Sequence, residues 1–215
     1  MSRLYFYKLT TNNNGAPCVA DGLLTLAICK PTIRKTASVG DVLIGFAGST
    51  LHRDNRLIYV GRVTEKLVDG DYFKDGRFGQ RPDCIYAWRN NRFVVRADAR
   101  YHGSPEGLVH DLGLSPGYLR ANTLLSREFR YFGADGSDAY KGNFSRVAKA
   151  VSVLARGHRV NHGDALHREL EALVEWSLVL DDSSVPAKHR GKPRDYTGSE
   201  ADEIGMKKRG GCGCC

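Results

Sequence analysis

Apolar and polar positions alternate in several short stretches of the first 130 residues, and each stretch predicts a strand. Residues 3–9 (RLYFYKL) place Tyr5 and Tyr7 on one face and Phe6 on the other. Asn12-Asn13-Asn14-Gly15-Ala16-Pro17 then reads as an irregular loop, because these residues accept turn geometry. Residues 22–29 (GLLTLAIC) predict a second strand, and Pro31 opens a short helix over 31–37. Gly40-Asp41 turns the chain into residues 42–47 (VLIGFA), a continuous apolar run of the kind found in buried strands. Residues 56–68 predict one long strand around Gly61. Residues 84–95 predict a hairpin turning at Arg89-Asn90-Asn91-Arg92, since Asn tolerates the positive φ of tight hairpins. Residues 101–120 are rich in Gly and Pro and show no period, and 121–132 read as extended or short-helical.

The period changes after Ser137. Phe144, Val147, Ala148, Val151 and Leu154 recur at three and four residues, one face of a helix that Gly157 should end. A second helix is predicted from about Asp164, a suitable N-cap, to Val179, presenting Leu166, Leu170, Leu173, Val174 and Trp176. Strands therefore come first and helices last. The fold class expected is α+β: a small, mostly antiparallel sheet or open barrel followed by two C-terminal helices. Residues 1–180 form one domain in this reading. Residues 181–215 are polar, aperiodic and rich in Pro and Gly, and are expected not to fold.

Composition sharpens the functional side. The 215 residues carry a net charge of +8, and residues 181–215 are nearly neutral, so the excess sits on the expected domain. A basic folded body suits a polyanion. No apolar run approaches the roughly 20 residues that span a bilayer, and no charged-then-apolar leader precedes the first strand. Three cysteines are scattered (Cys18, Cys29, Cys84) and three crowd the end (Cys212, Cys214, Cys215), which is no secreted disulfide framework. A cytoplasmic location is expected. Phosphate-binding loops, dinucleotide fingerprints, metal-binding His-Glu-x-x-His helices, Gly-x-Ser-x-Gly elbows and deaminase signatures are all missing.

Candidate chemistry falls into three groups. Lys30, Arg34, Arg53 and Arg56 are placed to neutralise successive phosphates, and Tyr59, Tyr72 and Phe73 offer faces on which a base can stack. Asp41, Asp83, His102 and His110 are candidate acid–base groups, with Asp111 beside the last; any carboxylate–His pair that the fold brings together can move a proton. Cys18, in the Asn-rich loop, is the candidate nucleophile, whereas Cys29 and Cys84 lie on predicted strands and read as buried, inert thiols. His158 and His162 fall short of the ligands a metal needs, so neither metal nor organic cofactor is expected. The terminal Cys212, Cys214 and Cys215 suit soft-metal binding, cross-linking or lipidation if they do anything beyond fraying.

Several local motifs together resemble the nucleotide modification associated domain 2 family. They are Leu4-Tyr5-Phe6-Tyr7-Lys8-Leu9-Thr10-Thr11, Gly15-Ala16-Pro17-Cys18, Leu26-Ala27-Ile28-Cys29-Lys30-Pro31, Gly40-Asp41, Leu57-Ile58-Tyr59, Asp83-Cys84-Ile85-Tyr86, Phe129-Arg130-Tyr131-Phe132-Gly133 and Gly157-His158-Arg159-Val160. The resemblance covers about residues 3–175. It implies a place in systems that make, handle or restrict modified DNA bases, and brings no assigned reaction. A looser likeness, carried by Gly40-Asp41 and Leu57-Ile58-Tyr59-Val60-Gly61-Arg62-Val63, is to the PUA-like group of EVE, ASCH and YTH domains. That likeness implies a small barrel with an aromatic-walled pocket for a modified base. Two functions are therefore expected. One is binding of modified bases in DNA, or of modified nucleotides, with DNA favoured over RNA as partner and with other proteins of a modification system. The alternative is an enzyme acting on a nucleotide or DNA base through Asp, His and Cys.

Overall fold

The computed structural model describes residues 2–155 and 157–180. The tail read from 181 onward, with its three cysteines, lies outside the described residues. Eleven strands are described: β1 (Leu4–Leu9), β2 (Cys18–Ala20), β3 (Leu23–Leu26), β4 (Val42–Ala47), β5 (Leu57–Arg62), β6 (Glu65–Leu67), β7 (Tyr86–Arg89), β8 (Arg92–Val95), β9 (Thr123–Ser126), β10 (Glu128–Tyr131) and β11 (His158–Arg159). The helices are α1 (Pro31–Thr36), α2 (Asp71–Lys74), α3 (Pro105–Leu112), α4 (Tyr140–Asn143), α5 (Ser145–Ser152) and α6 (Asp164–Val179).

A five-stranded sheet in the order β10-β5-β4-β1-β11 forms the middle layer. Its pairings are antiparallel except β1 with β4, which run parallel with Phe6 opposite Ile44. Both faces are covered, and strand alternation decides what each face meets. Leu4, Phe6, Val42, Ile44, Leu57 and Val60 pack under Tyr140, Val147, Val151, Leu170, Leu173 and Val174 of α4, α5 and α6. Tyr5, Tyr7, Leu9, Leu43, Ile58 and Tyr59 point the other way, into a larger core shared with β3, β9, α1, α2 and α3. On that side a four-stranded sheet runs β2-β3-β9-β6, and β7 and β8 form a separate hairpin. The class is α+β with open, mostly antiparallel sheets, as the pattern predicts. No barrel closes among the described residues.

Four differences from the sequence pattern have physical causes. The predicted strand 56–68 is two strands in two sheets: the chain crosses at Val63 and Thr64, whose N–H groups donate to Asp41 O and Leu125 O. The strand read over 22–29 stops at Leu26, because Cys29 and Lys30 adopt left-handed backbone (φ 56° and 44°). The predicted helix ending at Gly157 is instead α4 and α5, offset at Phe144 (φ −128°, ψ 67°) and finished by Val153. The unpatterned stretch 101–120 contains α3. Its Ser104 hydroxyl caps Gly107 N–H, and Pro105 occupies the first turn. Its buried face is Gly107, Asp111 and Leu112, and a carboxylate on the inward face erases the apolar period.

No helix of the described residues is long and apolar enough to cross a membrane. The middle sheet admits Tyr59 because Gly45 lies opposite it. A Cβ at Gly45 would stand 2.2 Å from Tyr59 Cε1 and 2.7 Å from Leu9 Cδ1. Gly45→Ala is therefore expected to destabilise the fold by about 1–3 kcal/mol in urea unfolding, the usual cost of overpacking. Gly76→Ala, where nothing lies within 4 Å, is expected to change little in the same measurement.

Candidate active site

The site begins where β3 leaves its sheet. Ala27, Ile28 and Cys29 are fully buried, and the left-handed turn at Cys29 and Lys30 aims the chain into α1. Non-glycine residues pay of order 1–3 kcal/mol for such backbone, which persists where surrounding structure enforces it. His102 also has positive φ (43°). It sits in the loop before α3, and α3 supplies Asp111 from its inward face. Gly107 lets the helix approach His102, since a Cβ there would lie 2.7 Å from His102 O and 2.8 Å from His102 Cβ.

These three residues form a line. Cys29 Sγ lies 3.4 Å from His102 Nε2, and His102 Nδ1 lies 2.6 Å from Asp111 Oδ2. An ionised carboxylate only accepts, so Nδ1 carries the proton and a neutral ring turns its Nε2 lone pair toward sulfur. Both oxygens of the Asp111 carboxylate are engaged further: Cys29 N–H donates to Oδ1 (2.7 Å), and Tyr86 O–H donates to Oδ2 (2.8 Å). Cys29 and Asp111 are fully buried, and His102 is 6% exposed. Burial alone would raise the Asp111 carboxyl. The closeness of the His102 ring and its hydrogen bond, with Arg34 and His110, overcome it and hold the group at about 2. The Cys29 sulfur is disulfide-bonded in this structure, so thiol chemistry here concerns its reduced form.

Arg34 holds the line in place. Its guanidinium is fully buried and donates to four carbonyls: Nε to Cys29 O (2.6 Å), one terminal nitrogen to Arg120 O and Asn122 O (2.7 and 2.6 Å), the other to Asp111 O (2.7 Å). One side chain thus fixes the backbone of both ends of the triad. Burial lowers its pKa to about 10, with Asp111 4.0 Å away opposing the fall, so it stays cationic at neutral pH.

The donor atoms of Cys29, His102 and Asp111 lie within 4.8 Å of one another, close enough to share a cation. The ring orientation favours a relay instead. Its two nitrogens face different partners, whereas a shared cation takes one nitrogen together with sulfur and carboxylate. A cysteine at a strand-to-helix turn, a His and an orienting carboxylate are, when the sulfur is reduced, the residue types that acyl- and group-transfer enzymes combine.

The other candidate residues are scattered. Asp41 accepts from Arg3 N (2.8 Å), Arg3 side-chain nitrogens and Ser38 N, and so ties β1 to the turn before β4. Asp83 is buried between Tyr72 O–H (2.6 Å), Thr25 O–H (2.5 Å) and the Arg81 guanidinium (3.7 Å). Cys18 lies beside that cluster, and burial and the Asp83 charge push its thiol up, away from the thiolate a nucleophile needs. His110 is half-buried with its ring edge-on to His102. Of the seven residues read as a nucleic-acid surface, Lys30, Arg53 and Arg56 reach solvent. Lys30 Nζ sits 5.0 Å from the Tyr7 ring, and Arg56 pairs with Asp54. Arg34 is the buried clamp just described. Tyr59 (bonded to Tyr7 O–H at 2.6 Å), Tyr72 and Phe73 are core rings.

A family model, nucleotide modification associated domain 2, matches residues 1–197. The chain belongs to that family. No curated protein and no solved structure matches. In this family member Cys29 is buried, as its sequence position suggests, but it lies on the left-handed turn beyond β3, beside His102 and Asp111, and not on the strand. The signal for that turn was its place between a strand and the Lys30-Pro31 helix start.

Two outcomes follow for this family member. Arg34→Lys keeps the charge but cannot reach four carbonyls, and is expected to cost about 3 kcal/mol or more in chemical denaturation. Asp111 is held below its ordinary value of 3.8, so its stabilisation is complete above that value and disappears as pH falls toward 2. Acid titration of unfolding free energy should show this loss, and Asp111→Asn should remove that component.

Proposed function

We propose that this protein is a cysteine-dependent group-transfer enzyme acting on a modified or modifiable base, in DNA rather than RNA or as a nucleotide, within a nucleic-acid modification system. The observation that carries this reading is the Cys29–His102–Asp111 line, with sulfur at 3.4 Å and carboxylate at 2.6 Å from opposite nitrogens of one imidazole. The family supplies the nucleotide context.

The chemistry runs in two displacements. His102 Nε2 takes the Cys29 proton, and the thiolate attacks an electrophilic carbon of the donor, forming C–S as the bond to the leaving group breaks. The imidazolium returns its proton to the leaving group. An acceptor N–H, O–H or water then attacks the same carbon, gives its proton to His102 and releases Cys29, which is reprotonated. No electrons are gained or lost overall. Asp111 fixes the ring tautomer and stabilises the imidazolium. Cys29 must be reduced for this, the state that a reducing cytoplasm maintains.

Binding of a modified base against aromatic walls, without reaction, has less support. Tyr59 and Tyr72 are fully buried and spend their hydroxyls on Tyr7 and Asp83.

Reduced protein treated with iodoacetamide across pH tests the proposal, with mass spectrometry reading Cys29. Cys29 is expected to alkylate with an apparent pKa clearly below the ordinary 8.5. His102→Gln should move that value back up and slow the reaction at pH 7 by at least tenfold. An unperturbed profile in the unmodified sequence would overturn the reading.

A further inference from the structure

The β7–β8 hairpin carries a feature that folding does not explain. Arg89 and Arg92 are direct cross-strand partners at its tip, joined by Asn90 and Asn91 at φ 49° and 59°. Both are exposed, and neither forms an ion pair with a described residue. Like charges placed directly opposite on a ladder destabilise it. Beside them Trp88 is 40% exposed, one of the larger apolar side chains left in solvent. Phe93 supports its ring edge-on at 4.8 Å, and Lys74 Nζ lies 5.5 Å from it. A cavity of about 440 Å³ opens along the same strand, with Lys74, Arg89, Arg96 and Tyr86 in its wall. That volume falls within the range of small-ligand sites, large enough for a nucleotide-sized group. The Tyr86 hydroxyl, three residues from the tip, donates to Asp111.

We propose that the β7–β8 hairpin docks a single strand of nucleic acid, with Arg89 and Arg92 on adjacent phosphates and Trp88 stacked on a base. The chemistry fits a polyanion with exposed flat groups: unpaired guanidiniums take phosphate oxygens bidentately, and an indole face stacks on any base. A duplex hides its base faces, so a supported but exposed indole selects for a single strand. The strand β7 then leads from the docked polymer to Tyr86 and the Asp111 end of the triad. This names the substrate class of the site proposed above and rests on that reading for its purpose. Binding and Cys29 alkylation are measured separately, so either can fail alone.

The test is fluorescence anisotropy with a labelled 20-nucleotide single-stranded DNA, the same sequence as a duplex, and salt from 50 to 200 mM. The single strand is expected to bind more tightly than the duplex. Arg89→Glu with Arg92→Glu should weaken binding at least tenfold at 50 mM salt. Arg89→Gln with Arg92→Gln should flatten the log–log salt slope by about 1.4, the share of two phosphates on a single strand. Trp88→Ala should cost roughly five- to a hundredfold, the range for one stacked base. Thermal melting checks that each variant is folded, and exposed tip residues should leave it unchanged or, for the arginines, slightly raised. No binding at 50 mM salt, equal or tighter binding of the duplex, or folded variants that bind undiminished would overturn the proposal. Loss of binding in the tip variants with Cys29 alkylation unaltered would support it independently of the triad.

Discussion

A single buried cation organises this molecule. Arg34 is sealed from solvent, and a guanidinium there is tolerable only because four carbonyls and the Asp111 carboxylate surround it. Those carbonyls come from the turn after β3, from the end of α3 and from the segment entering β9. The requirement to satisfy one side chain therefore fixes three segments distant in sequence. Cys29 and Asp111 come together as a by-product of that requirement. Arg34 also explains why two non-glycine residues keep left-handed backbone at the turn: Cys29 O is held by Arg34 Nε and Cys29 N by Asp111, which leaves the peptide little freedom to relax.

The two cores divide the labour. The buried contacts between the middle sheet and α4, α5 and α6 are made chiefly by apolar side chains, with Lys8 and Arg62 reaching Ser152 O and Glu175 at the rim. The opposite core holds the polar assemblies, the Arg34–Asp111–His102 set and the Arg81–Asp83–Tyr72–Thr25 set, each enclosed by aromatic rings. Buried polar groups of this kind are costly unless satisfied and specify a single arrangement when they are. Arg81 fastens β2 and β3 to the loop before β7, much as Arg34 fastens α1 to α3. The side carrying the candidate site is thus tied by buried side-chain hydrogen bonds, where the core under the helices is chiefly apolar packing.

The sequence was most legible where apolar periodicity had no competitor. The alternation of β1, the buried run of β4, the Asn-Asn hairpin and the long face of α6 all stand as the pattern predicts. It was least legible where polar residues point inward. Asp111 hides the period of α3, so the helix that builds the site read as loop. Arg34 read as a surface cation, because Lys and Arg seldom go fully inside. Tyr59 and Tyr72 read as stacking platforms because residue type does not say which face of a strand or helix is covered. Cys29 read as a strand thiol because the reversal of backbone hand after Leu26 is enforced by tertiary partners, and no local preference announces it.

The spacing of the triad has a consequence for biogenesis. Cys29 is separated from His102 by 73 positions and from Asp111 by 82. Contacts of such long range form late, since closing the intervening chain costs entropy before any contact repays it. A chain still emerging or partly folded carries at Cys29 a sulfur with no imidazole beside it and no buried guanidinium to shape its turn. Whatever environment the folded site gives that sulfur is consequently withheld until β3, α1, the loop at His102 and α3 have all docked, so the surroundings of Cys29 report whether these distant segments have assembled.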